Sequence, residues 1–470
     1  NVLGMKKTKI IATIGPATES PEKMEQLMHK GVNVFRFNMK HNTLEWHQEK
    51  IEQANTIAQK LGQSLGILID LQGPEIRIDT SQGKDITVSP DKEIICIKSD
   101  AEDIPESCVM IPHTEVFDAL EIGDRFTIDD GYVQLEVTAK ENNMIKARAL
   151  NENIIKTRKS LNLVQKDIPL PSLTENDLEK LEIAKKIDVD FIALSFVRDK
   201  TDINNLKGEM MKREITAKIV AKVESQKGVD NIDEIIDTAD VIMIARGDLG
   251  IETPIETITY FQKQTIKKCR KKHKPVIVAT QMLESMINNP LPTRAEVADV
   301  ANAVFDLTDC VMLSGESASG KYPDLTAETM TKIIAYNEPR IEKMPLVFGE
   351  YDYTKNIAHS AVAIADTSEV SKIVAFTETG YTARVLSSFR PRTEIIAVTN
   401  HHKTKGALTM SYGVIPVETH YPVGDIVSYT GILEDLVSEG YISKGDEIIM
   451  IHGHTMGTPG NTNSLTILKV

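Results

Sequence analysis

The chain reads as an α/β protein: a (β/α)8 barrel, interrupted once by a small β domain and followed by a separate α/β unit. Three observations point there. Eight short apolar runs alternate with helical stretches between Lys9 and Tyr336, which is the count of a closed parallel barrel. From Gln72 to Asp167 that alternation stops, and short β runs with turn residues replace it. Beyond Pro339 new apolar runs begin, again with helical segments between them. The segmentation this predicts is 5–71 and 169–338 for the barrel, 72–168 for the insert, and 339–470 for the last unit.

The elements follow in order. Lys9–Ile14 is strand one, leading into Gly15-Pro16. Pro21–Lys30 is a short helix, with Ser20 as N-cap and Gly31 past its end. Val32–Phe37 is strand two, Asn42–Leu61 a longer helix, and Leu65–Leu71 strand three. Inside the insert, Phe126–Ile128, Tyr132–Val137 and Met144–Ala149 are β runs. Asn176–Ile187 is a helix and Phe191–Phe196 strand four. Ile219–Val223 and Val241–Ala245 flank a helical segment as a βαβ unit, giving parallel strands five and six. A basic helix runs to His273; Pro275–Thr280 is strand seven, Glu296–Leu307 a helix, Cys310–Leu313 strand eight and Leu325–Tyr336 a helix. The last unit has apolar runs at Ile373–Phe376, Ile395–Val398, Val414–Val417, Ile448–Ile451 and Leu465–Leu468.

A length of 470 residues implies two to three domains. The net charge of −14 argues against nucleic acid or an anionic membrane as partner. No run of apolar residues is long enough for a transmembrane helix, and the opening NVLGMKKTKIIATIG lacks the long apolar region of a secretory signal. Cys96, Cys108, Cys269 and Cys310 lack zinc spacing and are expected to be free thiols of a cytoplasmic enzyme.

Polar groups gather at the strand ends. Strand two ends in Arg36 and Asn38, strand three in Asp70, strand four in Ser195, strand five in Lys222 and Glu224. Strand six delivers Arg246, Gly247 and Asp248, strand seven Thr280 and Gln281, strand eight Ser314 and Glu316. A lone Lys–Glu pair reads as a structural ion pair; the repetition on one rim points to a site. Alternation along strand five sends Lys222 and Glu224 to the same side. Glu224 and Asp248, with room for water and substrate oxygens, suit Mg²⁺, and Lys222 could neutralise phosphoryl charge. No Ser-His-Asp or Cys-His arrangement, Walker A loop or H-E-x-x-H is apparent. The set suits a small anion bearing phosphate and carboxylate, with charge developing on an enolate or phosphoryl group.

These residues sit in motifs that resemble the pyruvate kinase family: IVAKVESQKGV at Ile219–Val229, TKIIATIGPAT at Thr8–Thr18, DLQGPEIR at Asp70–Arg77 and ARGDLGIE at Ala245–Glu252. ATQMLESM at Ala279–Met286 and PTRAEVADVANAVFDLTDCVMLSGESASGKYP at Pro292–Pro323 extend the likeness over essentially the whole chain. The resemblance implies a TIM barrel, a small β-barrel lid after strand three and a C-terminal regulatory domain. It implies phosphoryl transfer from phosphoenolpyruvate to ADP, giving pyruvate and ATP, the last step of glycolysis. Glu224 and Asp248 would hold Mg²⁺ or Mn²⁺, and Lys222 would stabilise the group in transfer. Arg36, Gly247 and Asp248 would bind substrate, with Thr280 beside the carbon that is protonated. Asn38, His41 and Arg77 would serve the nucleotide, and Asn38, Asp70 and Leu71 a monovalent cation. A phosphorylated effector would sit on Thr377, Thr379, Gly380 and Thr382 under Gly457–Asn463, in a homotetramer.

Four departures from the family stand out. Its N-F-S-H-G is here Asn38-Met39-Lys40-His41-Asn42, its threonine after the aspartate is Leu71, a frequent lysine is Asn176, and a Gly-Gly turn is missing around Asn151–Asn153. Arg36, Asn38 and Lys40 would face the site together in an extended segment. The Lys40 ammonium is then expected among Asn38, Asp70 and the Leu71 carbonyl as a tethered substitute for K⁺. Glu75 offers the alternative: a Lys40–Glu75 bridge with water completing an ordinary K⁺ shell. Two other functions compete. One is a carbon–carbon lyase with Lys222 as Schiff base or Glu224 and Asp248 under a pyruvate enolate. The other is a non-catalytic sensor that has kept the fold.

Overall fold

The computed structural model describes residues 6–164, 166, 170–342, 352–421, 424–425 and 429–470. The boundary expected at 168/169 lies outside the described residues.

Eight parallel strands close into a barrel: β1 Lys9–Thr13, β2 Val34–Asn38, β3 Gly66–Asp70, β4 Phe191–Leu194, β5 Lys218–Val223, β6 Val241–Ala245, β7 Val276–Ala279 and β8 Cys310–Leu313, neighbours in chain order with β8 pairing β1. Their residues are almost all buried, as strands covered on both faces require. Pleating sorts them into two cores. Ile11, Val34, Leu68, Phe191, Ala193, Val220, Met243, Ile277 and Met312 fill the barrel interior. Ile10, Phe35, Ile67, Ile192, Ile219 and Ile242 face the surrounding helices. This parity fixes the site. Counting in twos from Val34, Leu68, Ala193 and Val220 reaches Arg36 and Asn38, Asp70, Ser195, and Lys222 and Glu224, so all six point into the barrel mouth.

Helix starts follow capping chemistry. Ser20 and Thr43 accept from Lys23 N and Trp46 N. Thr174–Asp177 and Thr293–Glu296 form capping boxes, so the helices start at Glu175 and Arg294, earlier than the apolar periodicity suggests. Strand two starts at Val34 and runs on to Asn38, because Gly31 (φ 94°) ends the preceding helix first.

The insert is a seven-stranded sheet ordered Leu161–Leu163, Arg125–Ile128, Val133–Glu141, Met144–Ala149, Glu93–Lys98, Cys108–Ile111, Asp79–Thr80. Irregular pairing joins its edges: an Arg77–Ser160 bridge, Ile78 N on Lys159 O (2.9 Å) and Leu161 N on Ile76 O (2.9 Å). It also contains a helix, Thr114–Ala119, that the sequence pattern did not reveal because only Val116 and Phe117 are buried on it.

The last unit has parallel strands Val414–Glu418, Glu394–Thr399, Lys372–Phe376 and Glu447–Gly453, closed by the antiparallel edge Thr462–Lys469. It docks on the barrel floor. Met410 joins the barrel's interior cluster, Lys9 Nζ donates to Val414 O (2.7 Å) and Arg390 pairs with Asp309 (2.7 Å). Among the described residues, no helix is long and apolar enough to cross a membrane. The four cysteines are free and buried.

Candidate active site

A cavity of about 380 Å³ opens at the C-terminal ends of the strands. Arg36, Asn38, Asp70, Ser195, Lys222, Glu224 and Asp248 line it from the barrel, and Asp130, Ser160 and Asn162 from the insert.

At its base lies a charge network. Asp70, 1% exposed, takes Arg36 on Oδ2 through Nε (2.7 Å) and Nη2 (2.6 Å), and Lys222 approaches Oδ1 at 3.4 Å. Arg36 is fixed again by Nη1 on Thr13 Oγ1 (2.9 Å). Lys222 stands 3.0 Å from Glu224 and donates to Ser195 Oγ (2.7 Å), which donates to Leu71 O (2.8 Å). Burial alone would lower the Lys222 pKa, but Asp70 and then Glu224 outweigh it, so the ammonium is held above its ordinary value. Asp70 shows the reverse contest: burial raises it, and Lys222 and Arg36 carry it below the usual range.

Glu224 is oriented by the Phe196 N–H (2.6 Å), which reaches it because Phe196 holds φ 53°. Positive φ at an aromatic residue is costly and is retained where a site needs it. Asp248, at the start of the helix Arg246–Glu252, is pushed up to about 7 by burial and then by the Glu224 charge. A buried and a half-buried carboxylate set side by side in this way fit a divalent cation. Among the described residues no group of three His, Cys, Asp or Glu side chains could hold a metal ion. Two carboxylates with water and substrate oxygens is an ordinary Mg²⁺ set.

A second strained turn follows β7. Thr280 and Gln281 have φ 69° and 54°. Arg246 clamps this turn, with Nη2 on Thr280 O (2.8 Å), Nε on Ala279 O (3.3 Å) and Nη1 on Asp299 (2.8 Å). The Gly247 N–H donates to Thr280 Oγ1 (2.7 Å), and a Cβ on Gly247 would meet that oxygen at 3.3 Å. Gly247 and Thr280 are therefore together beside Asp248, at the edge of the cavity rather than in its lining.

The expected place of Lys40 is overturned. β2 ends at Asn38 and a turn begins, with Lys40 N on Asn38 Oδ1 (3.2 Å), so the extended segment does not reach Lys40. Its ammonium lies on Glu75 (2.9 Å), not among Asn38, Asp70 and the Leu71 carbonyl. The physical reason is reach: the turn closed by Asn38 takes Lys40 out of the strand's alternation and sets its ammonium 2.9 Å from the Glu75 carboxylate. Arg77 joins the same Glu75 (2.8 Å) and donates to Arg158 O (2.6 Å). His41 and Arg77 thus stand outside the cavity lining, with Asn38 inside it. Asn176 Nδ2 reaches Gln72 Oε1 (3.2 Å) at the base of the insert.

On the last unit, Thr377, Thr379 and Thr382 line a small cavity of about 40 Å³ with Gly457, Gly460, Asn461 and Thr462. Thr382 and Thr462 hydroxyls are 2.8 Å apart. Gly380 (φ 78°) caps the helix Tyr381–Ser388 outside that lining. Glu378 is held by Tyr421 Oη (2.6 Å) and His401 (2.7 Å).

The pyruvate kinase barrel-domain family matches residues 5–327, and the pyruvate kinase alpha/beta domain matches 355–468. The chain belongs to the pyruvate kinase family. A pyruvate kinase of Staphylococcus epidermidis is 39% identical over 473 residues, which cover 98% of this chain and 80% of that one. One from Bacillus licheniformis is 37% identical over 477 residues, covering 99% and 81%. The crystal structure of a pyruvate kinase from Cryptosporidium parvum superposes with a TM-score of 0.92 at 33% identity, covering 100% of this chain and 97% of that one. The family makes the chain a phosphotransferase acting on phosphoenolpyruvate, ADP and ATP, and pyruvate, with a divalent metal.

Three features of the site were not read from the sequence: the Ser195 hydroxyl as the link between Lys222 and Leu71, the Arg246 clamp, and Asp130 of the insert. Lys180, whose buried Nζ holds Met39 O (2.6 Å), is a fourth supporting group. Ser195 and Arg246 carried a signal, each a polar residue ending an apolar strand.

Proposed function

We propose that Glu224 and Asp248 hold Mg²⁺ (or Mn²⁺), and that the cavity binds phosphoenolpyruvate against them for transfer to ADP. The observation that carries this is the buried Glu224 beside the half-buried Asp248, with Lys222 3.0 Å from Glu224. The metal, when bound, supplies compensation for charge on phosphoryl and enolate oxygens. Lys222 and Arg36 face the equatorial oxygens of the group in transfer, already positioned by Ser195, Asp70 and Thr13. ADP's β-phosphate oxygen attacks phosphorus in line, and the phosphorus–oxygen bond to the enolate breaks. Thr280, braced by Arg246 and Gly247, orients the proton donor for the enolate carbon. Asn38 lies on the nucleotide side, and His41 and Arg77 reach the nucleotide from the rim. A coupled assay with phosphoenolpyruvate, ADP and Mg²⁺ tests the reading; no ATP formed sinks it.

The finer features belong to the same proposal. The Asp70 Oδ1 atom is buried without a hydrogen bond, which suits a K⁺ ion beside Asn38 and the Leu71 carbonyl. Residues 5–71 and 169–338, 72–168 and 339–470 are taken as barrel, lid and regulatory domain of a cytoplasmic homotetramer. A sedimentation mass of one chain contradicts the tetramer. Thr377, Thr379 and Thr382, with the Gly380-capped helix, receive a phosphorylated effector; the small cavity admits little more than its phosphoryl group until Gly457–Asn463 moves. A panel of sugar phosphates and nucleotides that shifts neither kinetics nor melting temperature excludes it.

A further inference from the structure

The barrel floor meets the last unit along a seam crowded with cations. A cavity of about 220 Å³ there is lined by Lys218, Lys272, Lys274 and Arg384, with Asp240 as the carboxylate and His273 beside it. Lys218 opens β5 and Asp240 precedes β6, at the ends away from the active site. Lys272, His273 and Lys274 form the turn before β7, and Arg384 comes from the helix Tyr381–Ser388. A narrow cleft that shares Lys274 and Arg384 adds Arg270, Arg390 and Asp309.

The lining charges do not balance. Six cations face two carboxylates, in a chain whose net charge is −14. Asp309 is committed to Arg390 (2.7 Å), Asp240 stands 3.8 Å from Lys218, and Lys272 turns to Asp237 (2.7 Å). The others rest on backbone carbonyls: Lys274 on Ala239 O (2.5 Å), Arg384 on Thr379 O (3.1 Å), Arg270 on Ser388 O (3.2 Å). A carbonyl satisfies a donor but does not cancel its charge. The cost is visible in the titration of these groups. Burial, and then Arg390, bring Arg270 down to about 9, and burial depresses Lys274 and Arg384 as well. Burial also takes His273 down to about 4, so it stays neutral and adds no further repulsion.

We propose that this cavity between barrel floor and C-terminal unit is a binding site for a small phosphate-bearing anion, held by Lys218, Lys274 and Arg384. Its volume lies below the roughly 300–1,000 Å³ of pockets for drug-sized ligands, so the occupant is a phosphate group alone or on a short carbon chain. The site is separate from the Thr377–Thr382 loop, but Tyr381 lines both cavities and Arg384 holds the loop's Thr379 carbonyl. β5 and β6 run from this floor to Lys222, Glu224 and Asp248 at the mouth. The assignment does not depend on how the active site is read.

Calorimetric titration of the full chain with inorganic phosphate and with glycerol 3-phosphate, at constant ionic strength, tests it. The expected result is a binding event that Lys218→Gln and Lys274→Gln each weaken by about tenfold, the loss of one charge-assisted hydrogen bond. Thr382→Val, on the effector loop, leaves that event in place. The two lysines lie on separate segments, so a fold defect in one variant, seen by circular dichroism, leaves the other to decide. The proposal is overturned if both lysine variants titrate like the unsubstituted chain, if Thr382→Val alone removes the event, or if neither probe binds.

Discussion

Asp248 is the residue on which the metal reading turns. It is half-buried beside the buried Glu224, whose charge helps to raise its pKa to about 7, and a bound cation would relieve that repulsion. Asp248→Asn removes the repulsion and half of the carboxylate set. The fold is expected to survive, and turnover to fall by about three orders of magnitude, as the loss of several kcal/mol of charge stabilisation implies. Near-normal turnover at saturating Mg²⁺ would refute the assignment. Lys40 leads to a prediction opposite to the one its sequence position suggests. Its charge is spent on Glu75 at 2.9 Å, leaving the Asp70 Oδ1 side of the mouth without it. Potassium is therefore expected to activate about tenfold over tetramethylammonium at constant ionic strength, the worth of roughly 1.4 kcal/mol. A flat response would show that no monovalent ion is needed there.

At the scale of an element, the turn after β7 is held by one side chain. Thr280 is β-branched with φ 69°, a conformation that relaxes unless its surroundings impose it. Arg246 imposes it through two carbonyls and Asp299 at once, which a planar fork can do and a point charge cannot. Arg246→Lys keeps the charge and loses the fork. The expected effect is a fall in kcat of roughly 10²-fold, the cost of a misplacement near 1 Å, with little change in apparent Mg²⁺ affinity. Equal loss in both quantities would instead mean that Arg246 supports the Asp248 helix. The β5 and β2 ends show how far pattern reading goes in one element. Period-two alternation from Val220 correctly carries Lys222 and Glu224 to the mouth. The same alternation fails at Lys40, because the strand has already given way to a turn closed by Asn38.

In the whole molecule, acid weakens the junction between barrel and C-terminal unit. His273 is buried there, its Nδ1 3.0 Å from Ser388 Oγ, and burial followed by Lys355 takes it down to about 4. A histidine whose folded pKa lies below its ordinary 6.5 is bound by more protons when unfolded, so its contribution is full above pH 6.5 and is lost as pH falls from there towards 4. Melting temperature should drop across that window, and His273→Gln should flatten the drop. An unchanged slope in the variant would assign the acid sensitivity to other groups. Asp190 acts in the opposite sense: burial raises it to about 6, so its share of stability declines as pH rises from 3.8 through 6.

By itself the sequence determined the barrel, the insert after strand three, the position of the further α/β unit and the residues of the mouth. Those features are written in local periodicities: apolar runs of strand length, the alternation that pairs Lys222 with Glu224, caps such as Ser20, and specific motifs such as IVAKVESQKGV. The tertiary structure alone decided which partners each charged group took. That Lys40 goes to Glu75, that Arg36 and Lys222 share Asp70, that Arg246 braces Thr280 and that cations crowd the barrel floor all depend on contacts between segments far apart in the chain. Electrostatic pairing falls off with distance in space and is blind to distance along the sequence, so no local pattern could encode it.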